Sequence, residues 1–130
     1  MARHSEVTTR GVCVSVHSLY VRSRSRPEDG QWFFAYHVEI ANRGEASVQL
    51  ISRHWVITDG DGHVEEVRGP GVVGEQPRLQ PGERFEYTSA CPLPTPFGTM
   101  HGSYQMVTED GEQFDAAIEA FSLSLPNLLN

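Results

Sequence analysis

VQLISRHWVITDGDGHVEEVRGPGVVGEQPRLQPGERFEYTSACPLPTPFGTMHGSYQMVT, residues 48–108, decides the fold class of this chain. Its apolar residues alternate with other side chains instead of recurring at helical spacing: along residues 49–58, Ile51, Trp55 and Ile57 read as one face and Leu50 and Val56 as the other. A period of two is the mark of a β-strand with one face buried. Asp59-Gly60-Asp61-Gly62 then supplies hairpin chemistry, and residues 63–67 return as the partner strand. Residues 84–90 and 99–108 read as two more strands. Between them Pro92, Pro94 and Pro96 cannot donate to a sheet ladder, so this segment should cross between sheets, anchored by Leu93 and Phe97.

The same period extends outward in both directions. Val12, Val14 and Val16 alternate with other residues, as do Trp32, Phe34, Tyr36, Val38 and Ile40. Residues 113–125 form the last strand after an Asp110-Gly111 turn. There the apolar face moves from even positions (Phe114, Ala116, Ile118) to odd ones (Phe121, Leu123, Leu125), and a β-bulge near Glu119-Ala120 would absorb the change. About seven short strands, joined by Pro- and Gly-containing connections and without a helical stripe, predict an all-β, two-sheet antiparallel sandwich of the immunoglobulin kind. One domain over 10–126 accounts for the chain, with residues 1–9 and 127–130 read as tails. Trp55, Tyr87, Tyr104, Phe34 and Ile57 are the expected core.

Composition narrows the function. A chain of 130 residues can bury a core without disulfides or metal. Its longest apolar run, Trp32 to Tyr36, is far too short to cross a bilayer, and the first ten residues lack the apolar stretch of an export signal. The expectation is a cytoplasmic protein without membrane insertion, a monomer or weak homodimer. A formal charge of -7 disfavours nucleic acid as a partner. Every basic residue is Arg, which removes a Walker-type lysine, a Schiff base and a pyridoxal-phosphate anchor. Cys13 and Cys91 read as reduced, buried thiols.

Several blocks taken together resemble the ApaG family: SRHW at 52–55, the run Gly69-Pro70-Gly71-Val72-Val73-Gly74, QP at 76–77, PGE at 81–83 and EYTSACPLPTPFGTMHGSY at 86–104. The resemblance runs from about Val12 to Leu125. It implies a fibronectin type III-like fold. It also implies a loose association with cobalt and magnesium efflux and with diadenosine tetraphosphate turnover. ApaG-like domains also occur in eukaryotic F-box and polymerase-interacting proteins as recognition units. A chain with no bilayer-spanning segment could only be an accessory to cation homeostasis, never the pore.

The candidate sites differ in the chemistry their residues allow. Gly69-x-Gly71-x-x-Gly74 matches the dinucleotide fingerprint in spacing but opens no helix, because Pro77 and Pro81 follow. Its backbone amides, with Arg68 beside them, could still form a nest for pyrophosphate or a nucleotide. Arg22, Arg24 and Arg26 would make a cationic row if the preceding strand continued. The six histidines show no zinc spacing, and His17 and His37 could meet only if their strands pair in register. Asp59-x-Asp61-x-His63 lacks the glycine and terminal glutamate of a calcium loop. Ser52, His54 and Asp59 lack the elbow and oxyanion hole of a hydrolase. No catalytic residue, metal site or cofactor is assigned, and the chain reads as a non-enzyme. The long connection from Arg68 to Gln80 carries the leading expectation: an ordered loop with Val72 and Val73 partly exposed, forming the centre of a patch for an unidentified cytosolic protein, with Arg68 and Arg78 at the rim.

Overall fold

A computed structural model describes residues 1–126. Its nine strands among these residues are β1 (His4–Thr9), β2 (Val12–Tyr20), β3 (Trp32–Asn42), β4 (Val48–Asp59), β5 (Val64–Pro70), β6 (Arg78–Leu79), β7 (Arg84–Leu93), β8 (Phe97–Thr108) and β9 (Gln113–Ser124). They form two antiparallel sheets, β1-β2-β3-β7 and β5-β4-β8-β9, with β6 added to the β4 edge. Two 3₁₀ turns, Arg22–Arg24 and Pro27–Asp29, lie between β2 and β3, and among the described residues no helix is long and apolar enough to cross a membrane. The sandwich expected from period two is the fold observed.

The core lies between the inward faces of the two sheets. Phe34, Val38, Ile40, Leu50, Tyr104 and Phe121 are fully buried within it, and Trp55 and Tyr87 are buried beside them. Ile57, also expected in the core, is partly buried and packs against it. The Trp55 indole meets Tyr36, Tyr104 and Phe121 edge-on, the geometry that puts a ring's positive edge against another's negative face. Cys13 and Cys91 are both free and buried.

The turns follow their local chemistry. Asp59 Oδ1 accepts from the amides of Asp61 and His63 at 2.9 and 3.0 Å, closing the β4–β5 hairpin. The β8–β9 pairing shifts between Met100 and Gly102 on one strand and Phe121 and Ile118 on the other, so Glu119 and Ala120 stand opposite a single residue. That bulge returns Phe121 and Leu123 to the core, as the parity change required.

Four expectations are corrected. Residues 4–9 are no tail: they form β1, paired from His4↔His17 to Thr9↔Val12, because the alternation in Ser5-Glu6-Val7 matches an edge strand against β2. The expected tail at 127–130 lies outside the described residues. A second bulge, between Leu50 and Ser52 on β4, reverses that strand's faces, so Leu50 points inward at 0% exposure and Ile51 outward at 38%. Arg22, Arg24 and Arg26 form no row, because the chain leaves β2 in a 3₁₀ turn, with Ser25 Oγ bonding Val21 O and Arg24 lying over the Phe33 ring. The proline segment does cross from one sheet to the other, but only Leu93 anchors it. Phe97 is exposed, and the buried partner is Thr95, whose Oγ1 donates to Phe97 O and accepts from Gly60 N.

Candidate interaction loop and the arginine behind it

Strand β4 is long enough to carry two partners on one edge. Residues 52–58 pair with β5, and residues 48 and 49 pair with β6. Between those partners the chain makes an excursion over residues 71–77, opposite the bulge at Ile51. The bulged carbonyl is well used: Ile51 O accepts from Gly71 N and from Gln76 Nε2, each at 2.9 Å, while Leu50 N donates to Pro77 O. The loop is thus stitched to the strand edge.

At its tip, Val72 N donates to Glu75 O and Glu75 N to Val72 O, both at 2.8 Å, and the two residues between them have positive φ: Val73 at 42° and Gly74 at 81°. This is a two-residue hairpin of the primed kind. The turn separates the two valines. Val72 is 0% exposed and joins the core, so the expectation that it would be surface-exposed is overturned: the turn points it inward under the loop. Val73 is 56% exposed.

Each glycine of the run has a structural reason. A β-carbon on Gly71 would stand 2.3 Å from Glu75 O, and Gly74 supplies the left-handed turn position. Gly69 sits beneath Arg53, where a β-carbon would lie 3.0–3.1 Å from three guanidinium atoms. The anion nest expected from Gly69, Gly71 and Gly74 is therefore not built, because the amides of Gly71 and Val72 already donate to carbonyls. Arg68 does not join such a nest either. It pairs in register with His54 on the outer face of the sheet, 3.5 Å from Glu66, whereas Gly69 shares the inward face with Arg53. Arg78 also lies on the outer face and donates to Gln49 Oε1 at 3.1 Å.

Nothing in the sequence alone marks Arg53. The bulge at Ile51 turns it inward with Trp55, where strand alternation alone would place a core residue. Its Nη1 donates to Pro70 O and Gly71 O, both at 2.9 Å, so one corner of the guanidinium fastens the end of β5 and the start of the loop. Beyond it lie buried polar groups. The Tyr87 and Tyr104 hydroxyls share a short hydrogen bond, and burial holds both far above their ordinary acidity range. Burial also raises Tyr36, against a smaller opposing hydrogen bond from Ser89. The Cys91 thiol is pushed up to about 12, first by burial and then by Glu65. A thiol so protonated is a poor nucleophile.

The histidines form pairs and no larger ligand group. Strand register does bring His17 and His37 together, with ring centroids 5.5 Å apart. Both His37 nitrogens are engaged, with Thr88 and Glu86, each at 2.9 Å. Among the described residues, no three His, Cys, Asp or Glu side chains converge in a way that could hold a metal. His54 bonds Glu66 at 2.7 Å, and Ser52 bonds Gln105, so neither forms a nucleophile–base pair with the other.

Comparison with known proteins agrees with this architecture. Residues 22–108 match the ApaG domain. The chain is 59% identical over 120 residues to Protein ApaG of Methylobacterium sp. (strain 4-46), covering 92% of each. It is 57% identical over 124 residues to Protein ApaG of Rhodospirillum centenum, covering 95% of each. The crystal structure of the ApaA protein from Bordetella pertussis superposes with a TM-score of 0.87 at 51% identity, covering 97% of this chain and 98% of that one. With a domain match over most of its length and relatives above half identity, the chain belongs to the ApaG family.

Proposed function

We propose that this ApaG-family protein is a non-catalytic interaction module of the cytoplasm, and that it meets its protein partner through the turn centred on Val73. The observation that carries the reading is the conformation of that residue. A β-branched side chain at φ 42° is a conformational outlier that asparagine or glycine would relieve, and here it is held out to solvent at 56% exposure. Packing supplies no reason for it, since Val72 alone fills the core beneath. Arg68 and Arg78 on the same outer sheet face, with the exposed Ile51 between their strands, give the apolar tip a polar and cationic rim.

The test is capture from cytosol on immobilised protein, comparing wild type with Val73→Asn, which suits the turn better but removes the apolar contact. The captured protein should be identified by mass spectrometry and then bound as a purified component. Loss of that binding in a variant that is folded and no less stable supports the reading. Undiminished binding by Val73→Asn rejects it.

A further inference from the structure

The two open margins of the sandwich differ. On one side β1 and β2 are tied to β9: Ser5 Oγ donates to Glu119 O at 2.7 Å, Ser18 Oγ to Ser122 O at 2.6 Å, and Ser122 N to Ala2 O at 2.8 Å. On the other, β5 and β7 leave between them a cleft of about 380 Å³, within the range that holds small organic ligands. Its walls include Trp55, Val67 and Met100 on one sheet and Tyr36, Ser89 and Cys91 on the other. Arg53 lines it too, and Glu65 stands at its exposed margin.

From this arrangement we propose that the β5–β7 cleft binds a small monocarboxylate with an apolar body, its carboxylate taken side-on by the Nε–Nη2 edge of Arg53. Both protons of Nη1 already go to the carbonyls of Pro70 and Gly71. The guanidinium is thereby fixed flat against Gly69, leaving the Nε–Nη2 edge without a protein acceptor among the described residues. That edge carries the parallel pair of N–H donors that matches a carboxylate. Among the described residues Arg53 forms no ion pair, and the one acidic residue that lines the cleft is the exposed Glu65. The aromatic and aliphatic walls, Trp55 above all, favour an apolar body. Glu65 at the mouth repels further negative charge and so selects a monoanion over a polyphosphate.

Titration of the ¹⁵N-labelled protein with 3-phenylpropionate tests the proposal, with 3-phenylpropionamide, acetate and pyrophosphate as controls. The expected result is saturable shifts at Gly69, Ser89 and the Arg53 Nε–H, with binding at least about tenfold weaker for the amide, acetate and pyrophosphate, the scale of a lost charge-assisted pair. Arg53→Gln should abolish the shifts. Because that variant could also loosen the loop, Glu65→Gln is the decisive companion: it alters only an exposed carboxylate and should tighten phenylpropionate binding several-fold without affecting the amide. No saturable shift at millimolar phenylpropionate, equal binding of the amide, or unchanged affinity in Glu65→Gln would each overturn the assignment.

Discussion

Gly102 on β8 lies so close to His54 on β4 that a β-carbon added to it would stand 2.0 Å from the His54 carbonyl oxygen and 3.1 Å from Trp55 Cα. Both obstacles are backbone, so no rotamer change can make room. Gly102→Ala must therefore push the two central strands of the larger sheet apart beside the Trp55 ring. A loss of about 3 kcal/mol or more is expected in urea denaturation, at the upper end for overpacked sites. Gly62→Ala is the internal contrast, since that glycine has φ 85° but nothing within 4 Å of the added carbon. It should cost only about 1 kcal/mol, from the left-handed strain alone.

The Tyr87–Tyr104 hydroxyl pair joins the two sheets through the core, one residue from each. Replacing either by Phe leaves the other hydroxyl buried without its partner, which costs about 1–3 kcal/mol. Replacing both removes the donor and the acceptor together. The double variant should therefore be no less stable than the worse single one, with a coupling of about 1 kcal/mol in a double-mutant cycle. Strict additivity would show that the hydroxyls do not depend on each other.

Those same groups set the alkaline limit of the fold. Tyr36, Tyr87 and Tyr104 are raised above 10.0 and Cys91 above 9.0, each mainly by burial, so the folded protein keeps protons that the unfolded chain releases. Raised values mean that the contribution is fully present below the unfolded range and is lost as pH climbs. Stability should begin to fall above about pH 9, with each group that stays protonated adding about 1.4 kcal/mol per pH unit beyond its unfolded value. Urea midpoints at about pH 8, 9.5 and 11 read the slope, which should be shallower in the Tyr87→Phe/Tyr104→Phe variant. A midpoint unchanged to about pH 11 would show that these groups titrate as freely in the folded protein as in the unfolded one.

What the sequence could disclose follows from the range of each signal. Period two identified the long strands, and the parity change at Glu119-Ala120 revealed its bulge because strongly apolar residues flank it on both sides. The bulge at Ile51 has no such marker: Leu50 and Ile51 are adjacent and equally apolar, so either could be taken as inward. Arg53 shares the face of Trp55 whichever of the two is counted, and what hides it is its charge, because an arginine on a strand reads as a solvated side chain. The short strands β1 and β6 escaped for another reason, since Ser5-Glu6-Val7 and Arg78-Leu79 gain their identity from the edges they pair with. In the glycine run, spacing alone suggested a nest. Only the partners of the Gly71 and Val72 amides show that the turn has already used them.

Val72 and Val73 are neighbours in sequence with opposite roles, and mutation should separate them. Val72 is fully buried among core residues, so Val72→Ala should cost about 2 kcal/mol through lost burial and the cavity left behind. Val73 occupies the first central position of a primed turn at φ 42°, followed by Gly74, and Asn-Gly is the sequence such turns favour. Holding a β-branched residue there costs roughly 1–2 kcal/mol, of which Val73→Asn should recover about 0.5–1. The melting temperature should therefore rise in Val73→Asn and fall in Val72→Ala, although each change removes apolar surface from the same loop. If Val73→Asn lowered stability instead, the exposed methyl groups would have to pack against the loop itself, and the strain at this turn would belong to folding and not to the partner surface.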